Sequence, residues 1–109
     1  MAGKIAYSYI TREMFETAGA KREHTDGIID QLRFIDGAKI AFLAIQEEKE
    51  RYKVSFRSGE NVSVNRVAAM LGGGGHPRAA GANLIGSIDY VIRSVLDAAK
   101  SYLINDYVE

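Results

Sequence analysis

Four glycines in a row, Gly72 to Gly75, run directly into His76, Pro77 and Arg78 in the stretch MLGGGGHPRAAGA. Glycine loses more backbone freedom on ordering than any other residue, so such a run is costly to fix in a folded chain. What it allows is close approach. Without Cβ atoms a ligand can touch the backbone, and successive N–H groups can converge on one anion. Positive charge for that anion has three nearby sources: His76, Arg78 and Arg57. Arg57 ends the polar side of RYKVSFRS, where Lys53 and Ser55 also point. The chemistry suggested is the grip of a phosphate by backbone and side chains together.

The familiar glycine-rich phosphate loops do not fit. The dinucleotide fingerprint needs a strand before its glycines and a helix opening on them, and the P-loop ends in Lys-Ser/Thr, which GGGGHPRA lacks. Here the glycines follow the C-terminus of a helix, the negative end of its dipole, so side chains must supply the charge. Taken singly, each residue has a plainer reading: Gly72 as a helix C-cap, His76 as a structural histidine, Arg57 and Arg78 as solvated surface. Their concentration in and beside one loop is what favours a site.

The elements that must position these residues follow from the pattern. Lys4 to Ile10 alternates and is rich in tyrosine and isoleucine, as a strand is. Thr11 caps a short helix with Met14, Phe15 and Ala18 inward and Gly19 at its end. Thr25 or Asp26 caps a second helix, with Ile28, Ile29, Leu32 and Ile35 on one face and a stop near Gly37. AKIAFLAI reads as a central strand buried on both faces, QEEKER as a hairpin connection, and RYKVSFRS as its antiparallel partner. In that partner Tyr52, Val54 and Phe56 point one way and Lys53, Ser55 and Arg57 the other. If Arg57 faces a ligand, Phe56 cannot stack on it. Val64, Val67, Ala68 and Leu71 stripe a helix ending at Gly72, and AAGANLI is a further strand. Ser87 caps the last helix, whose inward face is Ile88, Val91, Ile92, Val95, Leu96, Ala99 and Leu103. The order β-α-α-β-β-α-β-α is an α/β class: a mixed β-sheet flanked by helices on at least one face.

Bulk properties narrow the function classes. The chain has 109 residues, one domain's worth, and 47% hydrophobic content can supply a core. Fourteen basic and 14 acidic side chains give no net charge, which argues against a binder of long duplexes and not against a small anion held at one spot. With no cysteine there is no disulfide, zinc thiolate or cysteine nucleophile. The longest apolar run, Ile40 to Ile45, is too short to span a membrane, and MAGKIAYSYI lacks a signal-peptide h-region. These features predict a soluble cytoplasmic domain with no membrane partner.

GGGGHPRAAGA resembles the Gly-Gly-Gly-His-x-x-Ala-(Ala/Ser)-Gly signature of the DHH-associated C-terminal domain of DHH-family phosphoesterases. The likeness runs back through KVSFRSGENVSVNRVAAMLG, with its strand ending in Ser-x-Arg-Ser, and covers IIDQLRFIDGAKIAFLAI and the last helix. Within that family the chain is most similar to the nanoRNase and 3′-phosphoadenosine 5′-phosphate phosphatase branch. The resemblance implies that residues 1–109 are one substrate-binding domain, the C-terminal part of a larger phosphoesterase. Gly73, Gly74, Gly75 and His76 would contact phosphate or the adjoining nucleotide, and Arg57 would clamp it with Ser58 beside. Arg78 adds charge, and Ala79, Ala80 and Gly81 keep the approach clear. The ligand implied is a short single-stranded oligonucleotide or a nucleotide.

One departure from the family's pattern is large. Its enzymes hold two metal ions, usually manganese, in an N-terminal domain with an Asp-His-His triplet. This chain has no such triplet, and its histidines, His24 and His76, cannot supply a two-metal site. The expectation is a chain with no catalytic residue, metal or cofactor of its own, partnered by a catalytic DHH domain through which the parent could form a homodimer. The alternative is a non-catalytic nucleic-acid-binding module related to the C-terminal domain of alanyl-tRNA synthetase. That domain's motif typically reads Gly-Gly-x-Gly-Gly-Gly-Arg, and here His76 stands at the arginine while Ala-Ala-Gly continues on the phosphoesterase pattern. His24, in KREHTDG, reads as a surface loop residue, and Asp26 is left outside the site.

Overall fold

The computed structural model describes residues 5–18, 27–29, 31, 38–59 and 61–105. Its elements are β1 (Ile5–Ile10), α1 (Arg12–Ala18), β2 (Ile40–Glu48), β3 (Arg51–Ser58), α2 (Val64–Met70), β4 (Gly74–His76), β5 (Ala79–Ile85) and α3 (Ile88–Asn105). Residues 27–29 and 31 are also helical. The strands form one mixed sheet in the order β1-β2-β3-β5-β4. β1 runs parallel to β2, and every other pairing is antiparallel.

Period-2 alternation gives the sheet two unlike faces. On one, Phe42, Ala44, Tyr52, Val54, Phe56, Ala80 and Ala82 pack with Val64, Val67 and Ala68 of α2 and with Val91, Val95, Ala99 and Leu103 of α3. Tyr7 stacks on Phe42 with centroids 5.0 Å apart, and Phe42 meets Phe56 tilted at 6.0 Å. Burying side chains of this size stabilises the fold by roughly 1.5–3 kcal/mol each. On the other face a smaller cluster, Ile29 with Leu43, Ile45 and Ile10, covers the β1–β2 side. β2 is therefore buried on both faces, as its apolar run predicts.

The caps form as the sequence indicates. Thr11 Oγ1 accepts the Met14 N–H at 3.1 Å, and Ser87 Oγ accepts the Tyr90 N–H at 3.2 Å. Two inward assignments are corrected. Met14 is 46% exposed and Ile28 37% exposed: α1 lies with Met14 toward solvent, and Ile29, one position on from Ile28, takes the buried place instead. Leu71, the C-cap of α2, is partly buried and packs against the main core, in keeping with its inward reading. Ala98 and Tyr102 join the buried face of α3, and the Tyr102 hydroxyl accepts the Ser63 N–H at 2.8 Å, tying α3 to the start of α2. Lys4, Gly19, His24, Thr25, Asp26, Leu32, Ile35 and Gly37, and the side chains of Phe15 and Ala18, lie outside the described residues.

The glycine run holds the main surprise. Gly74–His76 is not a loop but a short edge strand, turning at Pro77–Arg78 into β5. The predicted strand AAGANLI is β5.

Candidate ligand-binding face

Register places the candidate residues. Arg57 pairs with Ala79, and Ala79 pairs with His76, so the three form one row across β3, β5 and β4. The next row is Ser55, Gly81 and Gly74, and the one beyond is Lys53 and Asn83. Directly opposed residues share a face, and positions two apart return to it. All of these residues therefore lie on the face opposite Phe56 and the main core. The result is a strip of sheet face on which small residues lie between larger ones, a trough in that sense. Its floor is Gly74, Gly81, Ala79 and Ser55, and its flanks carry Arg57, Lys53, His76 and Asn83. Two inter-strand spacings put the Arg57 and His76 backbones about 10 Å apart. Arg57 Nη1 donates to its neighbour's carbonyl, Phe56 O, at 2.9 Å.

The ten residues singled out in the sequence divide evenly. Arg57, Gly74, His76, Ala79 and Gly81 are on the trough. The other five support it from behind or beside. Ser58 is 1% exposed, on the core side of β3; its hydroxyl donates toward Val62 O at 2.7 Å, with Pro77 O 3.0 Å away. Its N–H donates to Arg78 O at 3.2 Å. Arg78 Nη1 donates back to Ser58 Oγ at 3.2 Å and also to the carbonyls of Gly59 and Val62. Ser58 and Arg78 thus stitch the β4–β5 turn, next to His76, to the end of β3 and to the Gly59 and Val62 carbonyls. Ala80 packs into the core against Phe56.

The glycines are not equivalent. Gly72 closes α2 with φ +84, where an L residue is strained. A Cβ on Gly73 would sit 2.1 Å from Gly81 O. Gly75 has φ +145, and its Cβ would sit 2.6 Å from Ala80 Cα. Each of these has a reason within the fold to be glycine. Gly74 has none: its φ is not in the positive range, and a Cβ there would meet nothing within 4 Å. That Cβ would project over the trough floor beside Gly81. An open margin beside Gly81, on a face that also carries Arg57 and Lys53, allows the close approach of an anionic ligand.

Sequence reading missed β4 as a strand and Asn83 as part of the face. Alternation along β5 from Gly81 would have found Asn83; β4 is made by pairing with β5, which its composition does not announce. Among the described residues, no three His, Asp or Glu side chains come together so as to hold a metal ion. No described helix is long and apolar enough to cross a membrane.

Residues 2–105 match the family described as the DHHA1 domain. A bifunctional oligoribonuclease and PAP phosphatase, NrnA, of Thermus thermophilus is 37% identical over 95 residues, 86% of this chain and 29% of that protein. The chain thus spans under a third of the length of this curated relative. Among solved structures, an exopolyphosphatase-related protein from Bacteroides fragilis superposes with a TM-score of 0.83 at 24% identity, covering 92% of this chain and 29% of that one. The C-Ala domain of Aquifex aeolicus alanyl-tRNA synthetase superposes at 0.61 with 13% identity, covering 86% and 88%. At these identities the two structures speak to the fold alone.

Proposed function

The chain belongs to the DHHA1 domain family, the C-terminal domain of DHH phosphoesterases, in its nanoRNase and PAP phosphatase branch, and from that premise we propose that it binds a nucleotide or short single-stranded oligonucleotide on the β3–β5–β4 trough. In this reading Arg57 grips a phosphate by charge-assisted hydrogen bonds, which suit a planar guanidinium. His76 closes on it from the other side of the row. The backbone of Gly74 and Gly81 forms the floor on which the sugar-phosphate lies, and Lys53, Ser55 and Asn83 extend the contact along β3 and β5.

The observation that carries the proposal is Gly74, a glycine the fold does not need, placed on the same sheet face as Arg57 and Lys53. The absence of net charge agrees with a ligand bearing a few phosphates rather than a long duplex. The Thermus relative's name supplies the substrate class: short RNA and 3′-phosphoadenosine 5′-phosphate. The likeness to the alanyl-tRNA synthetase domain is one of fold and adds no second reading.

Hydrolysis belongs, in this reading, to a catalytic DHH domain outside this chain, which would hold two divalent ions, taken as manganese. The described residues of this chain do not fit such ions, and no step through them is assigned to it. What this chain does is bind and orient. Calorimetric titration with a dinucleotide and with 3′-phosphoadenosine 5′-phosphate tests the proposal. Saturable binding that Arg57→Ala weakens is expected, and equal heats for the two proteins would refute it.

A further inference from the structure

The sheet has two edges, and they are built differently. β4 is three residues long, which by itself discourages further pairing. β1 is six residues, IAYSYI, with no charge and no proline, and among the described residues no strand pairs with its outer side. Tyr7 and Tyr9 on β1 are 43% and 41% exposed. Beside them α3 forms the other wall of a groove of about 450 Å³. Ile88, Ile92 and Leu96 reach into it from the core side, and Asp89, Arg93, Asp97 and Lys100 line its rim.

At 100° per residue those four charges fall within about 80° of arc on α3, a single stripe. All four are exposed, and no ion pair within the described residues ties any of them to a neighbour. Their order, acid-base-acid-base, is self-complementary when two such helices run antiparallel. About a two-fold axis at the level of residue 95, Arg93 of one copy meets Asp97 of the other, and Asp89 meets Lys100. A two-fold axis perpendicular to the sheet would also set β1 against β1 antiparallel. An isologous interface needs this self-matching, since one patch must serve both partners.

The geometry points to a second copy of this chain as the occupant of the β1–α3 edge. The copies join through β1 into a ten-stranded sheet, with the Tyr7 and Tyr9 rings enclosed and the α3 charge stripes paired across the axis. A partner with a single-sign surface would match only half the stripe. Tyr7 and Tyr9 lie on the core face, so the trough on the opposite face stays open in the dimer. The strip is only about 20 Å long by strand rise, which puts it at the small end of stable interfaces.

Sedimentation equilibrium of the 109-residue chain over a concentration series tests this. A monomer–dimer equilibrium is expected, with a dissociation constant on the order of 10 μM. Arg93→Asp and Asp97→Arg should each weaken it at least about tenfold, by setting like charges opposite one another twice per dimer. The double variant R93D/D97R exchanges the partners and should return the constant to within about threefold of the parent's, the pairwise coupling that a double-mutant cycle isolates. Thermal melts of all three variants check that each is folded, and Tyr9→Glu, on the strand rather than the helix, is expected to abolish the dimer independently. A chain that stays monomeric throughout would leave this face to another partner and overturn the proposal. So would a dimer indifferent to the single reversals, or one the double variant does not restore.

Discussion

The Arg78 guanidinium donates to the Ser58 hydroxyl across 3.2 Å, and the Ser58 N–H donates to the Arg78 carbonyl at the same distance. This reciprocal pair joins the end of β3 to the turn between β4 and β5. It separates two kinds of arginine at one site: Arg78 holds the trough together, while Arg57 stands on it.

The separation is measurable. Arg78→Ala removes the guanidinium donor from Ser58 Oγ and from the carbonyls of Gly59 and Val62, and should cost about 1–3 kcal/mol of stability. Ser58→Ala should cost a similar amount, because the site is buried. Both should lower the melting temperature, and ligand affinity should fall as a consequence. An Arg78→Ala protein that melts like the parent would place this residue's role elsewhere.

Arg57→Ala should behave the other way. Melting should be unchanged within about 0.5 kcal/mol, as for an ordinary surface change, while affinity for a dinucleotide falls by the roughly 1.5–3 kcal/mol of a lost charged hydrogen bond, about 10- to 150-fold. His76→Ala, in the same row, should weaken binding in the same assay without unfolding the protein. Titration calorimetry beside a thermal melt reads both quantities.

Gly74 and Gly75 make the sharpest contrast. Gly74→Val has room in the fold and should melt normally, yet should lose binding because its side chain rises from the trough floor. Gly75→Ala is expected to destabilise the protein by roughly 1–3 kcal/mol, since its φ of +145 and the nearby Ala80 Cα both oppose a side chain. Normal binding by Gly74→Val would remove the main support for the trough.

Incubated with manganese and a short RNA, the 109-residue chain by itself should release no mononucleotides. A two-metal mechanism needs ligands for both ions, and the described residues bring no such group together. Chromatography of the reaction products decides the point.

Tyr52 gives a prediction in pH. Burial raises its phenol above the ordinary value near 10, with a smaller contribution from Tyr9. The folded protein therefore holds this proton more tightly than the unfolded chain does. Its contribution to stability is fully present below pH ~10 and is lost as pH rises through the folded value. Tyr52→Phe has no phenol to ionise, so its alkaline unfolding midpoint should lie higher than the parent's. Following far-UV circular dichroism from pH 8 to 12 checks the sign.

Much of the fold and of the trough is legible in the residues themselves, for identifiable reasons. Arg57 can be set opposite Phe56 because strand alternation is a local geometric fact. β5 is legible because a proline turn precedes an apolar run of clear length. β4 is not, since three residues containing two glycines have little strand preference of their own and pair only because β5 is there to receive them. The Ser58–Arg78 pairing is equally hidden. It depends on the Gly59 and Val62 carbonyls being presented to Arg78, a tertiary event that neither residue type encodes. The difference between Gly73 and Gly74 is hidden too: it turns on where the Gly81 carbonyl lies, eight positions along the chain from Gly73.

The glycine strand is fastened at both ends to the same helix. The Gly73 N–H donates to Ala68 O near the end of α2, and the Val64 N–H at its start donates to Pro77 O just past β4. A run of four glycines would ordinarily be a hinge, sampling many shapes and stiffening only when a ligand arrives. Clamped in this way it has little left to sample. The entropy lost in ordering it is spent during folding, so a ligand bound as proposed would meet a surface already in its final shape and keep more of its contact energy as affinity. In this protein the glycines provide nearness without looseness.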